Sequence, residues 1–222
     1  MLRGRCSGVA TTTAAMVVAV VSSSSSAHAE VTVEGSLYGA TSYVLSDRVM
    51  HNDADETPDV LANRDVRLRG AGLISGFGVQ GAVVVDHKLR IGLDEALLVS
   101  ASGLTAEAQG LPSGVTTDHT RLFGYRFALF LGRQFGDPDA TVRPYVDLSL
   151  GVSLIDATLG LRSDDRGHWG QTSYALWAPY VAPRAGAHVM LGAHGFVDVS
   201  ACYSLFGVEK ATFVAGLGVS VP

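Results

Sequence analysis

The chain has 222 residues, of which 47% are hydrophobic and 17% are charged, a length that suits one domain. Its 16 Lys and Arg residues stand against 21 Asp and Glu residues, and this net charge of −5 argues against nucleic acid as a partner, which needs a basic face. Of the two cysteines, Cys6 lies in an N-terminal export signal, so an internal disulfide is excluded and we expect Cys202 to be buried in a strand.

The first 29 residues have the layout of a cleavable secretory signal. Two arginines precede the apolar or small-residue run Val9–Val21, and Ala27 and Ala29 then place small residues two apart. A membrane anchor is the weaker interpretation, because a spanning helix needs about 20 mainly apolar residues. The sequence therefore predicts a signal peptide over residues 1–29, cleaved after Ala29, and one exported domain over residues 30–222.

Eight segments of the exported domain have the character of β-strands. In chain order they are Val31–Leu45, a strand within Val66–Asp86 with its core at Gly76–Asp86, Leu89–Ser100, Thr120–Phe135, Thr141–Asp156, Thr172–Met190, Phe196–Phe206 and Ala211–Val221. A strand that spans a membrane needs about 9–11 residues, and each segment is long enough.

The fifth segment, Thr141–Asp156, shows the pattern most clearly. Its apolar side chains recur at every second position: Val142, Pro144, Val146, Leu148, Leu150, Val152 and Leu154. Successive side chains of a strand point to opposite faces, so one face is apolar and the other is polar. An apolar face toward lipid and a polar face inward are typical of a membrane-spanning barrel.

The connections between the segments are of two kinds. Short ones are His87-Lys88, Gly136–Ala140, Leu191–Gly195 and Gly207–Lys210, whereas long polar ones are Ser46–Asp65, Ala101–His119 and Ala157–Gln171. Short and long connections alternate in a barrel that has one rim in the periplasm and the other outside. Two features fit less well: Val66–Asp86 has room for a bent strand or a short plug, and Glu95 falls on an apolar face, which suggests a bulge or another register.

The pattern resembles the small outer-membrane β-barrel proteins of Gram-negative bacteria, the eight-stranded class that includes the membrane domain of OmpA and the OmpX-like proteins. The most family-like part is Tyr180–Val221, with P-Y-V-A-P-R-A-G-A-H-V, F-V-D-V-S-A-C-Y-S-L-F and T-F-V-A-G-L-G-V-S-V. The resemblance implies an all-β fold, an eight-stranded antiparallel up-and-down transmembrane β-barrel in the outer membrane. It also implies outer-membrane lipid and the barrel-assembly machinery as partners, and leaves any partner of the extracellular loops unidentified.

The polar faces of the strands carry charges of both signs. These are Glu34, Asp94, Arg126, Arg143, Asp147, Arg184, His188 and Asp198. The interior of an eight-stranded barrel is just wide enough to be filled by side chains, and buried charges must pair. The sequence therefore predicts a structural ion-pair network inside the barrel. A narrow ion path lined by these residues is the alternative.

No motif indicates catalysis, a metal or a cofactor. The motif His-x-Ser does not occur in the sequence. His51, Asp53 and Ser46 could form a palmitoyl-transfer type of site, but any polar loop would supply such residues. The acidic loop around Asp53 could gather oxygen ligands, but it lacks the glycine and final glutamate of a calcium loop. The aromatic residues near strand six predict an interfacial belt, with a ligand-stacking patch as the alternative: Trp169, Tyr174, Trp177 and Tyr180.

These observations predict an outer-membrane barrel with a structural, surface-exposed or adhesive role. Two alternatives stay open, a lipid-modifying outer-membrane enzyme and a soluble periplasmic lipocalin-like barrel that binds a small apolar ligand. The outward face of the strands separates them. A membrane barrel carries an apolar band about 25 Å tall on the outside, whereas a soluble barrel holds its apolar side chains inside.

Overall fold

The computed structural model describes residues 30–52, 65–165 and 167–222. They form eight antiparallel strands: β1 (Val31–Asn52), β2 (Val66–Val85), β3 (Leu89–Ala108), β4 (Val115–Gln134), β5 (Val142–Ser163), β6 (Gly167–Leu191), β7 (Gly195–Tyr203) and β8 (Glu209–Val221). Each strand pairs with the next, and β8 pairs with β1 to close a barrel. Within the described residues, no helix has the length and apolar character needed to cross a membrane. The predicted signal peptide and the acidic loop from Asp53 onward lie outside this part of the chain.

The two ends of the barrel differ. One end, which we call the turn end, holds the first and last residues of the described domain. It also holds the short connections 86–88, 135–141 and 192–194. The other end, which we call the loop end, carries the connections between β1 and β2, β3 and β4, β5 and β6, and β7 and β8. This is the up-and-down order that the sequence predicts.

Of the three long polar loops predicted at the loop end, the two at Ala101–His119 and Ala157–Gln171 are wrong predictions, whereas residues 53–65 still separate β1 from β2. Strands β3 and β4 continue to Ala108 and from Val115, so six residues join them, and β5 and β6 continue until only residues 164–166 remain. The region Val66–Asp86 holds a single strand rather than a plug. Its pairing with β3 is irregular between Gly70 and Leu73 and again between Ser75 and Gly76.

The reason for these long strands is a reversal of polarity along the barrel. In β5, the exposed side chains are apolar from Val142 to Val152, but beyond Leu154 the apolar side chains Ile155, Ala157, Leu159 and Leu161 are buried. We call the eight-stranded part with an apolar outside the belt. We call the part with an apolar inside the neck, which comprises residues 46–52, 66–74, 98–108, 115–123, 155–163 and 167–176. Along such a strand the apolar side chains move from the outer face to the inner face. A search for one continuous apolar face therefore ends the predicted strand at the reversal and assigns the rest to a loop.

The neck also has fewer strands than the belt. Strands β7 and β8 are short, so β1 pairs with β8 from Val33 to Val44 and then pairs directly with β6 at His51 and Asn52. The β7–β8 loop lies below this closure, where Leu205 N donates to Val181 O at 2.8 Å and Leu45 N donates to Val208 O at 3.1 Å. Eight strands thus form the belt, and six of them, β1 to β6, continue into the neck, where the pairing of β3 with β4 extends only to Leu98 and Gly124.

The tight turn between β2 and β3 offers a direct test of the backbone. Asp86 and His87 have φ angles of 52° and 55°, and Lys88 N donates to Val85 O at 3.0 Å. Such a turn favours glycine at its second central position, because the left-handed region is costly for other residues. His87→Gly relieves a left-handed conformation that costs a non-glycine residue about 1–2 kcal/mol, and the greater freedom of glycine in the unfolded chain offsets about 0.5–1 kcal/mol of this. The free energy of unfolding, measured by urea unfolding, is therefore expected to rise by at most about 1 kcal/mol. Lys88→Gly, outside the turn centre, is the control, and a less stable His87→Gly protein would contradict this backbone.

Candidate functional site

The belt encloses a continuous chain of ion pairs. It begins near the turn end at Glu34, whose Oε2 lies 3.6 Å from Arg90 Nη2. Arg90 Nη1 then donates to Asp147 Oδ2 at 2.7 Å, and Asp147 Oδ2 lies 3.6 Å from Arg184 Nε. All four side chains are at most 5% exposed. Each carboxylate is therefore held by at least one arginine in a place from which water is excluded.

The chain continues toward the neck. Arg184 Nη1 donates to Asp94 Oδ2 at 2.9 Å, and Asp94 Oδ1 lies 3.5 Å from Arg126 Nη2. Arg126 Nη1 in turn donates to Glu209 Oε2 at 3.0 Å. Hydroxyl groups complete this end: Ser42 and Ser153 donate to Glu209 at 2.8 Å and 2.6 Å. The charges alternate in sign along the whole chain, so every like-charged pair is separated by an opposite charge.

A histidine branches from the turn end of this chain. His188 Nδ1 lies 3.6 Å from Glu34 Oε1, and His188 Nε2 lies 3.7 Å from Asp198 Oδ1. Asp198 also accepts a hydrogen bond of 2.7 Å from the Tyr145 hydroxyl. The imidazole stacks on the Phe196 ring with 4.2 Å between centroids. His188 is therefore fixed by neighbours on both sides rather than free to act on a substrate.

Aromatic rings fill the space between the ion pairs. Arg90 lies over the Tyr145 ring at 3.9 Å from its centroid, and Arg126 lies over the Tyr180 ring at 5.0 Å. The Tyr145 ring is accommodated because it rests on Gly186, where an added Cβ would collide with it. Such cation–π contacts add to the ion pairs when the groups are desolvated.

Most of the predicted interior residues meet in this network. They are Glu34, Asp94, Arg126, Asp147, Arg184, His188 and Asp198, all buried. Arg143 lies half-buried at the turn end, where its guanidinium donates to the backbone carbonyl of Pro138 rather than to a carboxylate in the described contacts. Two members of the network, Arg90 and Glu209, were not predicted. Arg90 could have been found, because it shares the period-two face of Asp94.

Glu209 could not have been found by the same means. Its segment looked like a short turn after Gly207, and the pairing of β1 with β8 is irregular at that point. Tyr43 pairs with Ala211, whereas Val44 pairs with Glu209, so Lys210 is the extra residue of a bulge. Counting back from Thr212 by twos places Lys210 inward, and only the bulge turns Glu209 into the barrel.

Above the network, the neck is filled with apolar side chains. The fully buried ones include Val66, Leu68, Ile74, Leu98, Ile155, Leu159 and Leu161. Tyr174 is buried among them, and burial raises the pKa of its hydroxyl. An aromatic belt that contains Tyr174 and Tyr180 is therefore a wrong prediction, since both rings point inward, whereas Trp177 is 59% exposed on the outside.

The remaining candidate sites do not assemble. Ser46 is buried, whereas His51 is exposed on the opposite face of β1, so the proposed palmitoyl-transfer group is not brought together there. No cluster of three or more metal-ligating side chains occurs among the described residues. Cys202 is buried in β7, as predicted, with its sulfur 3.0 Å from the Tyr180 hydroxyl.

Comparisons with known proteins agree with this geometry at the level of the fold. No family model and no curated protein matches the sequence. Among solved structures, the outer membrane protein OprG from Pseudomonas aeruginosa is similar over 87% of this chain and 97% of that chain, with 14% identity and a TM-score of 0.52. This chain has the fold of the small outer-membrane β-barrel proteins.

Two further solved structures are similar over nearly their whole length. Neisserial surface protein A has 12% identity over 88% of this chain and 99% of that chain, with a TM-score of 0.46. The attachment invasion locus protein Ail of Yersinia pestis has 14% identity over 84% of this chain and 97% of that chain, with a TM-score of 0.45. At these identities the likeness concerns the barrel fold, and function has to be argued from the residues of this chain.

Proposed function

We propose that this protein is a non-conducting outer-membrane barrel with a structural, surface-exposed role. The observation that carries the proposal is the filled interior: paired charges occupy the belt, and apolar side chains occupy the neck. An ion that crossed the barrel would have to displace both layers. The proposal includes the eight predicted interior residues as structural members of, or neighbours to, the network rather than as a binding site.

The outer surface supports a location in lipid. Toward the turn end, large apolar side chains are exposed on every strand, and they include Leu37, Leu45, Phe77, Val79, Ile91, Leu129, Leu148, Leu150, Val199, Phe213, Leu217 and Val219. Covering such a surface with water is unfavourable, whereas an outer-membrane barrel presents it to acyl chains. A soluble lipocalin-like barrel would bury these side chains, so this alternative suits the belt poorly. Outer-membrane lipid is accordingly the partner that we propose for this surface, and assembly by the barrel-assembly machinery follows from the same location.

The neck supports exposure at the cell surface. Short turns of outer-membrane barrels face the periplasm, so the loop end and the neck would lie outside. Strand β5 has 22 residues, about twice the 9–11 that a spanning strand needs. The outside of the neck carries ion pairs toward the loop end: Asp47 lies 3.2 Å from Arg69 and 3.6 Å from Arg67, and Arg69 lies 3.7 Å from Glu107. Charged pairs outside and apolar side chains inside suit a barrel in water. Large apolar side chains remain exposed at four positions of the neck: Val49, Leu73, Val99 and Phe123.

The surface role thus belongs to the neck and the connections that it carries. Loops at the outer rim of a rigid scaffold are the usual place for contacts with other molecules. An adhesive role would be exerted there. For the alternative, a lipid-modifying enzyme, the described residues contain no assembled group of candidate catalytic side chains.

The first experiment is membrane fractionation with heat-modifiable migration in a detergent gel. Recovery of the folded protein in the soluble periplasmic fraction would contradict the proposal.

The filled interior has a measurable consequence for conduction. Purified folded protein in a planar lipid bilayer is expected to give no stable conductance steps in 1 M potassium chloride, because an eight-stranded interior is filled by side chains. A general porin in the same bilayer is the positive control. Regular steps of one size, which scale with protein concentration, would favour the ion path over the structural network.

A further inference from the structure

Strands β3 and β4 part from each other where the belt meets the neck. They pair regularly from Leu89 as far as Leu98, so the bulge or altered register that the sequence suggested at Glu95 is a wrong prediction. Beyond Leu98 and Gly124, no ladder pair joins residues 99–108 of β3 to residues 115–123 of β4, two segments whose strands the structure describes. Each segment is held by its other neighbour, β2 or β5. The neck therefore has two strand edges that face each other across a slit.

The pairing of β3 with β2 determines which backbone groups of β3 face the slit. Gln109 N donates to Asp65 O at 3.0 Å, and from there the two strands pair residue by residue along β2 as far as Gly70. In an antiparallel pair, every second residue directs its N–H and C=O to the partner strand, and the residues between direct theirs to the opposite side. The groups that face the slit are therefore the N–H and C=O of Leu104, Ala106 and Ala108.

One side-chain hydrogen bond crosses the slit. The Thr120 hydroxyl of β4 donates to Ala106 O at 3.4 Å, which agrees with the direction derived for that carbonyl. The distance is long for an O–H···O hydrogen bond, so this contact is weak. The rest of the β3 edge has N–H and C=O groups at the spacing of a β-ladder, which is a template for one more strand.

We propose that the β3 edge of the neck binds an extended peptide segment of another protein as an added strand. The backbone of such a segment matches the edge group by group, whereas an acyl chain has no donor or acceptor to offer. A second copy of the barrel does not fit, because the two edges face each other and only a single strand can enter between them. The segment replaces the Thr120 hydroxyl on Ala106 O and gains several backbone hydrogen bonds in exchange.

The side chains along the edge indicate which segments fit. Leu104 and Ala106 are buried toward the apolar interior of the neck, whereas Thr105 and Glu107 are exposed on the outside. Side chains of a strand alternate between its two faces, so the segment needs an apolar residue at every second position. Cross-strand pairs of opposite charge are favourable, so a basic residue suits the position beside Glu107. The partner is therefore an extended segment in which apolar residues alternate with hydroxyl or basic ones.

The test is the binding of a fluorescent peptide, K-V-T-V-K-V-T with blocked ends, to the purified protein in lipid vesicles. We expect saturable binding, measured by fluorescence anisotropy, and none to vesicles without protein. The matched control peptide carries N-methyl groups on its valines, whose N–H groups face the edge when their side chains point inward beside Leu104 and Ala106. It should bind at least about tenfold more weakly, the effect of losing two or three net hydrogen bonds.

Three variants test the assignment to β3. Ala106→Pro removes one N–H at the centre of the edge, and proline is tolerated there because no ladder bond is lost. It should weaken binding about tenfold, because the inserted ring also obstructs a paired strand. Ala106→Gly keeps the N–H and should bind as the natural protein does. Thr120→Val removes the hydroxyl that occupies Ala106 O and should strengthen binding.

The outcomes that would overturn the inference are distinct. Equal binding of the two peptides would show that side chains or lipid hold the peptide, and this comparison decides even where Ala106→Pro does not fold. The absence of saturable binding, or an unchanged affinity of folded Ala106→Pro, would also overturn it. The inference rests on the proposed location of the neck outside the bilayer. Heat-modifiable protein in the membrane fraction that binds no peptide contradicts the inference alone, whereas folded protein in the soluble fraction contradicts the location.

Discussion

Replacing Arg126 by methionine is expected to lower the free energy of unfolding of the barrel by about 3–5 kcal/mol, the cost of breaking a buried ion pair. Arg126 lies between Asp94 and Glu209 and is 1% exposed. Methionine has a similar length but no charge, so the Glu209 carboxylate would keep only the hydroxyls of Ser42 and Ser153. Urea unfolding in lipid vesicles, followed by tryptophan fluorescence, measures the change.

Two controls connect this result to the network. Arg133→Met removes an exposed arginine from the outside of β4 and should change the stability by less than about 0.5 kcal/mol. Adding Glu209→Gln to Arg126→Met should recover part of the loss, because the unpaired charge is then removed along with its partner. A stability of Arg126→Met equal to that of Arg133→Met would contradict a structural role for the interior charges.

Leu159→Ala is expected to lower the free energy of unfolding by about 2–5 kcal/mol, the usual cost of a cavity in a packed core. Leu159 is fully buried in the neck, among Leu68, Ile155 and Leu161. The neck has six strands and projects beyond the belt, so it can open while the belt stays folded. We therefore expect the neck to become sensitive to protease added outside intact cells, while a belt fragment remains heat-modifiable.

The neighbouring position provides the matched control. Thr158 lies on the opposite face of the same strand, half-buried, with its hydroxyl 3.4 Å from that of Ser173. Thr158→Ala should change the stability by less than about 0.5 kcal/mol and leave the neck resistant to protease. Equal protease sensitivity of the two variants would show that Leu159 is not packed in a core.

The belt could be predicted from the sequence because one physical rule governs it. Lipid outside and charges inside give Val142–Leu154 a strict period of two, and the same rule identified the eight strands and their order. It also brought together Asp94, Arg126 and Arg184, since inward charges in a narrow barrel must be neighbours. The fold class and most of the interior network follow from this rule alone.

The neck could not be predicted because the rule reverses there. From Ile155 to Leu161 the inward side chains are apolar and the outward ones are polar, so the alternation continues with its phase inverted and the predicted strand ended at Asp156. The pairing of β1 with β6 depends on how short β7 and β8 are, which a local pattern does not show. Glu209 was missed for a related reason, because the bulge at Lys210 shifts the count by one residue.

A fluorescence scan of β5 tests whether the polarity of its two faces reverses along the strand. Single cysteines at Leu150, Val152, Thr158 and Arg162, in a Cys202→Ala background, would carry an environment-sensitive dye in lipid vesicles. Labels at the first two positions should be quenched by spin-labelled lipid, and labels at the last two by aqueous iodide. Lipid quenching at Thr158 and Arg162 would place the neck inside the bilayer and would contradict a belt and a neck with opposite faces.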